Sequence, residues 1–235
     1  MPANRIKLEP ALERRYAKQA QRRKTRQIVC KILIVSEGTK TEPNYFNAFK
    51  SLNRGTVVYD IEVKGEATNT IQVVNKAIEL RDKGDYDSVW AVFDKDSFDD
   101  DKFNAAIIKA EKNGIGCAWS NEAFELWYLY HFQNRVTAMS RKEYEKAISD
   151  AVNDSPNYKQ KKEYKYEKKN PDNYRIMTTY GSMENAIKYA EAQSKTYTDN
   201  RYATHNPCTM VYKLVRLLIG QDEVFNAEIK RKVEQ

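Results

Sequence analysis

Three acidic residues carry the chemistry that this sequence offers most plainly. Glu37 ends the apolar run Ile32-Leu33-Ile34-Val35-Ser36, and Asp94 and Asp96 end the run Val89-Trp90-Ala91-Val92-Phe93 as an Asp-x-Asp. Residues i and i+2 of an extended stretch point to the same side, so the two aspartates can act together. Oxygen donors in such a number suit Mg²⁺, which takes one or two carboxylates, waters and phosphate oxygens in near-octahedral geometry. Three carboxylates in one crevice otherwise repel one another. Acidic residues also follow strands as turn formers and helix caps, and Asp99, Asp100 and Asp101 show how acidic the same loop is. On spacing alone both readings stand.

The elements that must position these acids follow from periodicity. A continuous β-branched and leucyl run reads as a strand covered on both faces, as in a parallel sheet, and Gly38 lets the chain turn directly after it. Strands are expected at 28–36, 57–63, 88–93 and 115–119. Between them lie helical patterns at 41–52, 69–83 and 99–113, the last two closed by Gly84 and Gly114. Thr41 reads as the cap of the first helix, with Glu42 and Pro43 in its first turn. This β-α-β order predicts an α/β fold with a mainly parallel, Rossmann-like four-stranded sheet flanked by helices. Ligands of such sheets bind at the carboxyl ends of the strands, where Glu37, Asp94 and Asp96 stand.

After Trp119 the strand signals stop. Helices are expected at 122–133, from the capping box Ser140-Arg141-Lys142-Glu143 to about 151, at 172–180, 182–197 and 207–219, with a charged tail from 221. The chain therefore divides into a basic arm (1–27), an α/β core (28–120) and a C-terminal helical appendage packed on it (121–235). The arm holds nine Lys or Arg against two Glu, which accounts for the whole net charge of +7. Such arms bind nucleic-acid phosphate or an acidic partner, or serve as solvated tails.

Within the appendage, residues 153–175 interleave lysines with tyrosines. Lys161, Lys162, Lys165 and Lys168 alternate with Tyr164 and Tyr166, a pattern that suits phosphates and unstacked bases of RNA or single strands, or a solvated loop. Lys40 and Lys95, beside the acids, are further phosphate-binding candidates. Ser120 and Asn121 end the fourth strand and can cap the next helix or contact phosphate. Glu125 lies in an apolar helix and needs a partner if buried, a metal or a lysine. His131 reads as a core histidine or a base, and Asn206 and Thr209 as caps near the last helix. Cys30, Cys117 and Cys208 lie far apart and suggest neither a disulfide framework nor a zinc site. No run approaches the ~20 apolar residues that span a bilayer, and the charged start lacks a signal-peptide pattern, so a cytoplasmic protein is expected.

Several motifs in order carry a resemblance. The strand ending in Glu37-Gly38, then Thr41-Glu42-Pro43-Asn44-Tyr45-Phe46, Val92-Phe93-Asp94-Lys95-Asp96, Trp119-Ser120-Asn121, Phe124-Glu125-Leu126-Trp127, His131-Phe132 and Asn206-Pro207 with Thr209, Val211 and Lys213-Leu214-Val215 resemble the RloB/AbiLii family. The resemblance implies a Toprim-like fold in which Glu37, Asp94 and Asp96 bind Mg²⁺ or Mn²⁺. It also implies a nuclease of bacterial anti-phage and abortive-infection systems, often encoded beside an ABC-type ATPase partner. RNA such as tRNA is the preferred substrate, with DNA the alternative. One departure is Asn121-Glu122 where Asn-Pro is expected. A non-catalytic docking or nucleic-acid-binding module is the competing reading, whereas a phosphatase with Asp94 as nucleophile leaves Glu37 without a role.

Overall fold

The computed structural model describes residues 28–51, 57–65, 69–96 and 99–234. The basic arm, 1–27, lies outside them. Five strands form one sheet in the order β2-β1-β3-β4-β5: β1 (Ile28–Ser36), β2 (Val57–Gly65), β3 (Ser88–Asp94), β4 (Gly116–Asn121) and β5 (Cys208–Thr209). The first four are parallel, as the alternation with helices requires. The fifth corrects the expected count of four. Cys208 and Thr209 pair antiparallel with Asn121 and Ser120, where the sequence reads as the opening of a helix. The edge of β4 thereby gains backbone partners that it would otherwise lack.

The apolar run of β1 is explained by its two neighbours. Ile32 and Ile34 enter one core cluster with Val92, Phe46 and Trp127, while Leu33 and Val35 enter another with Ala91, Phe93, Val74 and Phe103. Successive side chains of a strand face opposite ways, so a strand buried on both faces must be apolar at every position. The second cluster is closed by α2 (Thr70–Lys83) and α3 (Asp100–Lys112). α2 starts with a capping box between Asn69 and Gln72.

The first cluster is covered by α1 (Thr41–Asn47) and by the helices after β4. These are α4 (Glu125–Tyr130), α5 (Arg141–Asn153), α6 (Asn173–Tyr180), α7 (Met183–Ser194), α8 (Val211–Leu218) and α9 (Glu223–Glu234). α4 is only six residues long, half the expected span, with Phe124 before its first residue and His131 after its last. Rings dominate here: Tyr45 meets Phe46, Phe49, Phe124, Trp127, Tyr128 and Tyr174, and the Trp127 indole N–H donates to its hydroxyl at 2.7 Å. Among the described residues no helix is long and apolar enough to cross a membrane.

Candidate functional site

β1 is flanked by β2 on one side and β3 on the other, so the strand order reverses between β1 and β3. That reversal opens a crevice at the carboxyl edge of an α/β sheet. Glu37 directly follows β1 and donates its backbone N–H to the Val92 carbonyl at 2.9 Å; Asp94 is the last residue of β3. Asp96 follows at φ 42°, a left-handed turn that aspartate tolerates. All three line one cavity of about 240 Å³, with Glu42, Lys40, Arg141, Lys168 and Lys169 among its other walls.

Two of these neighbours are not legible in the sequence as site residues. Glu42, which reads as a first-turn acid of α1, is 5% exposed, and its carboxyl lies where a side chain on residue 38 would have to go, so Gly38 leaves room for it. Its Thr-Glu-Pro context next to the strand end is the available signal. Arg141 opens α5, far away in sequence, and its guanidinium ion-pairs with Asp94 at 3.2 Å and Asp96 at 3.3 Å. Nothing in a capping box announces that role. Glu122 sets the arginine in place, its Oε2 accepting the Arg141 backbone N–H at 2.7 Å.

The electrostatics of the crevice are those of excess buried negative charge. Burial pushes Glu37 up to about 7, with Glu42 and Asp96 adding to the shift and a hydrogen bond from the Asp94 backbone opposing it. Its Oε2 is buried without a hydrogen-bond partner among the described residues. Asp94, 8% exposed, is held well above the usual carboxylate range by burial and then by Glu42 and Glu125, against Arg141 and Lys168. Burial raises Glu42 in the same way.

Against a divalent ion these residues fit in chemistry: hard oxygen donors, one of them a buried oxygen with no partner among the described residues. In this arrangement, however, Arg141 stands with both aspartates, and among the described residues no group of three or more His, Cys, Asp or Glu is placed to hold a metal ion.

The remaining expected residues divide. Glu125 is buried and finds the lysine it needs: Lys168 Nζ lies 3.5 Å from Oε1, which also accepts the Tyr166 hydroxyl at 3.1 Å. Thr41 does not cap α1 but donates to the Lys168 carbonyl at 3.1 Å, tying that segment to the crevice. Ser120 and Thr209 share a buried hydroxyl–hydroxyl hydrogen bond of 2.9 Å, and Asn121 donates to the Ala203 carbonyl; they join β4 to the C-terminal segment and do not line the cavity. Asn206, two residues before β5, has its Oδ1 buried and without a partner among the described residues. His131 lines a separate cavity of about 370 Å³, shares a hydrogen bond of 3.0 Å between Nδ1 and the Trp127 carbonyl, and is pushed down to about 4 by burial. It is a buried neutral histidine apart from the acids.

Lys95 is buried and paired with Asp100 at 2.9 Å, which turns it away from a phosphate-binding part. Lys40, Lys161, Lys162 and Lys165 are exposed. The tyrosines between them behave otherwise than expected: Tyr166 is 6% exposed and Tyr164 is packed against the same core. They anchor the segment rather than face solvent as stacking platforms.

No curated protein and no solved structure shows a significant match to the chain. A family model described as RloB-like protein matches residues 32–218, most of the chain, and the protein belongs to that family.

Proposed function

We propose that this protein is a divalent-metal-dependent nuclease that hydrolyses phosphodiester bonds in RNA, tRNA first, or in DNA. The observation that carries the reading is the convergence of Glu37, Asp94 and Asp96 in one crevice at the strand-order reversal, rimmed by Lys40, Lys168 and Lys169. Glu37, Asp94 and Asp96 would hold Mg²⁺ or Mn²⁺. When bound, the ion supplies charge that activates water and offsets the negative charge of the reacting phosphate. Lys40 and Lys169, exposed at the rim, draw the phosphodiester in, and the outward lysines 161, 162 and 165 extend the track along the backbone of the nucleic acid. Glu42 keeps the floor of the crevice acidic. An anti-phage role beside an ABC-type ATPase is the setting that the family resemblance supports.

The ion pairs of Arg141 with both aspartates favour a second reading, a non-catalytic nucleic-acid-binding or docking module. Cleavage of plasmid and total tRNA with Mg²⁺ or Mn²⁺ decides between them. The native chain is expected to cut and Asp94→Ala to be inactive with its circular dichroism unchanged; equal activity in both would sink the nuclease assignment.

A further inference from the structure

Among the described residues, Arg141 is what α5 supplies to the crevice, and its placement is fixed from two sides. Glu122 holds its backbone N–H at 2.7 Å, while Asp94 and Asp96 hold two different nitrogens of its guanidinium. The Asp94 side chain is 11% exposed and that of Arg141 is 38% exposed. An ionised carboxylate at this depth is strongly destabilising without a compensating cation, so in the metal-free fold a positive charge at this spot is what lets Asp94 ionise. Arginine meets that need on a long side chain whose planar fork spans two carboxylates at once.

We propose that Arg141 is a place-holding cation: its guanidinium occupies the position between Asp94 and Asp96 from which a divalent ion must displace it. This rests on the metal-site part of the proposed function. Entry of the ion and departure of the guanidinium are then a single competitive exchange. The displaced fork has the open cavity beside it, with Lys168 and Lys169 among its walls, where a phosphate would give it a new bidentate partner. The exchange couples loading of the metal to arrival of substrate, because a phosphate that receives the guanidinium makes its departure from the aspartates easier. A permanent structural ion pair is the alternative, and it differs in one measurable respect: it does not oppose the metal.

Mn²⁺ binding measured by calorimetry and electron paramagnetic resonance, without substrate, tests this. Arg141→Gln is expected to bind Mn²⁺ tighter than the native chain by roughly ten- to a hundredfold, the scale of one charge-assisted hydrogen-bonded pair. Arg141→Lys, which keeps the charge but cannot bridge both aspartates, is expected between the two. Equal or weaker affinity in Arg141→Gln, or no binding in any of the three, overturns the proposal.

A measurement on the native chain guards against a variant that fails to fold. The Arg141 Nε is buried and has no hydrogen-bond partner among the described residues, so its N–H resonance should move on Mg²⁺ titration with the same midpoint as metal binding. A resonance that stays put while the ion binds also overturns the exchange. Failure of the nuclease reading looks different: metal binds and exchanges with Arg141, but no phosphodiester is cut.

Discussion

At the carboxyl edge of the sheet, Glu37 and Asp94 take their places from β1 and β3, two strands whose register is locked by parallel pairing from Ile32–Ser88 to Ser36–Val92. Across the same cavity, Lys168 and Lys169 take theirs from a stretch without regular structure, held by its own side chains. Tyr166 donates to Glu125, Asn153 pairs with the backbone of Tyr164 through both ends of its amide, and Tyr158 donates to the Lys162 carbonyl. The two walls therefore use their residues differently. On the strand side a paired backbone lets side chains stay strained by charge, with Glu37 Oε2 left without a partner among the described residues. On the segment side the side chains make the structure, while Lys161, Lys162 and Lys165, with Glu163 and Glu167 among them, face solvent. On one wall the backbone carries the fold, and on the other the side chains do.

The sharpest way to break that contrast is to exchange a residue on each wall for a neutral one. Tyr166→Ala is expected to lower unfolding free energy by about 3–5 kcal/mol, the range for truncating a buried aromatic. Tyr166→Phe, which only deprives Glu125 of a donor, is expected to lose about 1–3 kcal/mol. Asp94→Asn on the opposite wall removes a carboxylate that burial and its neighbours disfavour, and is expected to leave the metal-free chain as stable as before or more so. Urea titrations of the three variants check this; a loss in Asp94→Asn as large as that in Tyr166→Ala would erase the distinction between the walls.

A smaller effect separates the charge strain itself. Glu37 has its proton affinity raised from 4.5 to about 7 in the fold, so the folded state binds a proton more tightly than the unfolded one. The stability this contributes is full below about 4.5 and is lost as pH rises through about 7. His131 acts in the opposite direction, since its value falls from 6.5 to about 4 and stability is lost as pH falls through that window. The comparison that isolates Glu37 is therefore native chain against Glu37→Gln, in which His131 is unchanged. Between about pH 5 and 8, without metal, the native melting temperature is expected to fall relative to Glu37→Gln. The size is on the order of 2–4 °C, which corresponds to ~1 kcal/mol in a chain of this length, well under the full shift because solvent screens a half-buried carboxyl. Parallel curves would show that the Glu37 carboxylate is not under strain.

How much of this could be read in advance depends on which kind of backbone carries a residue. β1 and β3 announce themselves because a strand covered on both faces must be apolar throughout and then stop, and the stop is where Glu37 and Asp94 stand. β5 does not, because two residues after a proline carry no periodicity; only the open edge of β4 at Ser120 and Asn121 calls for them. Arg141 is hidden for another reason. It belongs to the helix that folds over the crevice, and its pairing with Asp94 and Asp96 depends on tertiary placement that no local spacing encodes. Tyr164 and Tyr166 show the same limit from the other side. An alternation of Lys and Tyr is compatible with rings facing a nucleic acid or facing a core, and the apolar surface of Tyr128 and its neighbours decides for the core.

With the tyrosines committed inward, the outward lysines are left to act as point charges, and that fixes the smallest expected effect. Lys161, Lys162 and Lys165 are exposed on a segment pinned by the Asn153 and Tyr158 hydrogen bonds, so replacing all three by alanine removes charge without touching what holds the segment. Stability should stay within about 0.5 kcal/mol of the native chain. Binding of single-stranded RNA should weaken in low salt, and the slope of log affinity against log salt should shrink by about two to three, nearly one counterion for each phosphate no longer neutralised. The weakening should be similar for every sequence tested, because a lysine on a phosphate reads charge and not bases. Fluorescence anisotropy at several salt concentrations measures both quantities. If affinity instead drops for one base composition and the salt slope is unchanged, the segment reads bases by stacking, and the tyrosines must leave the core to do so.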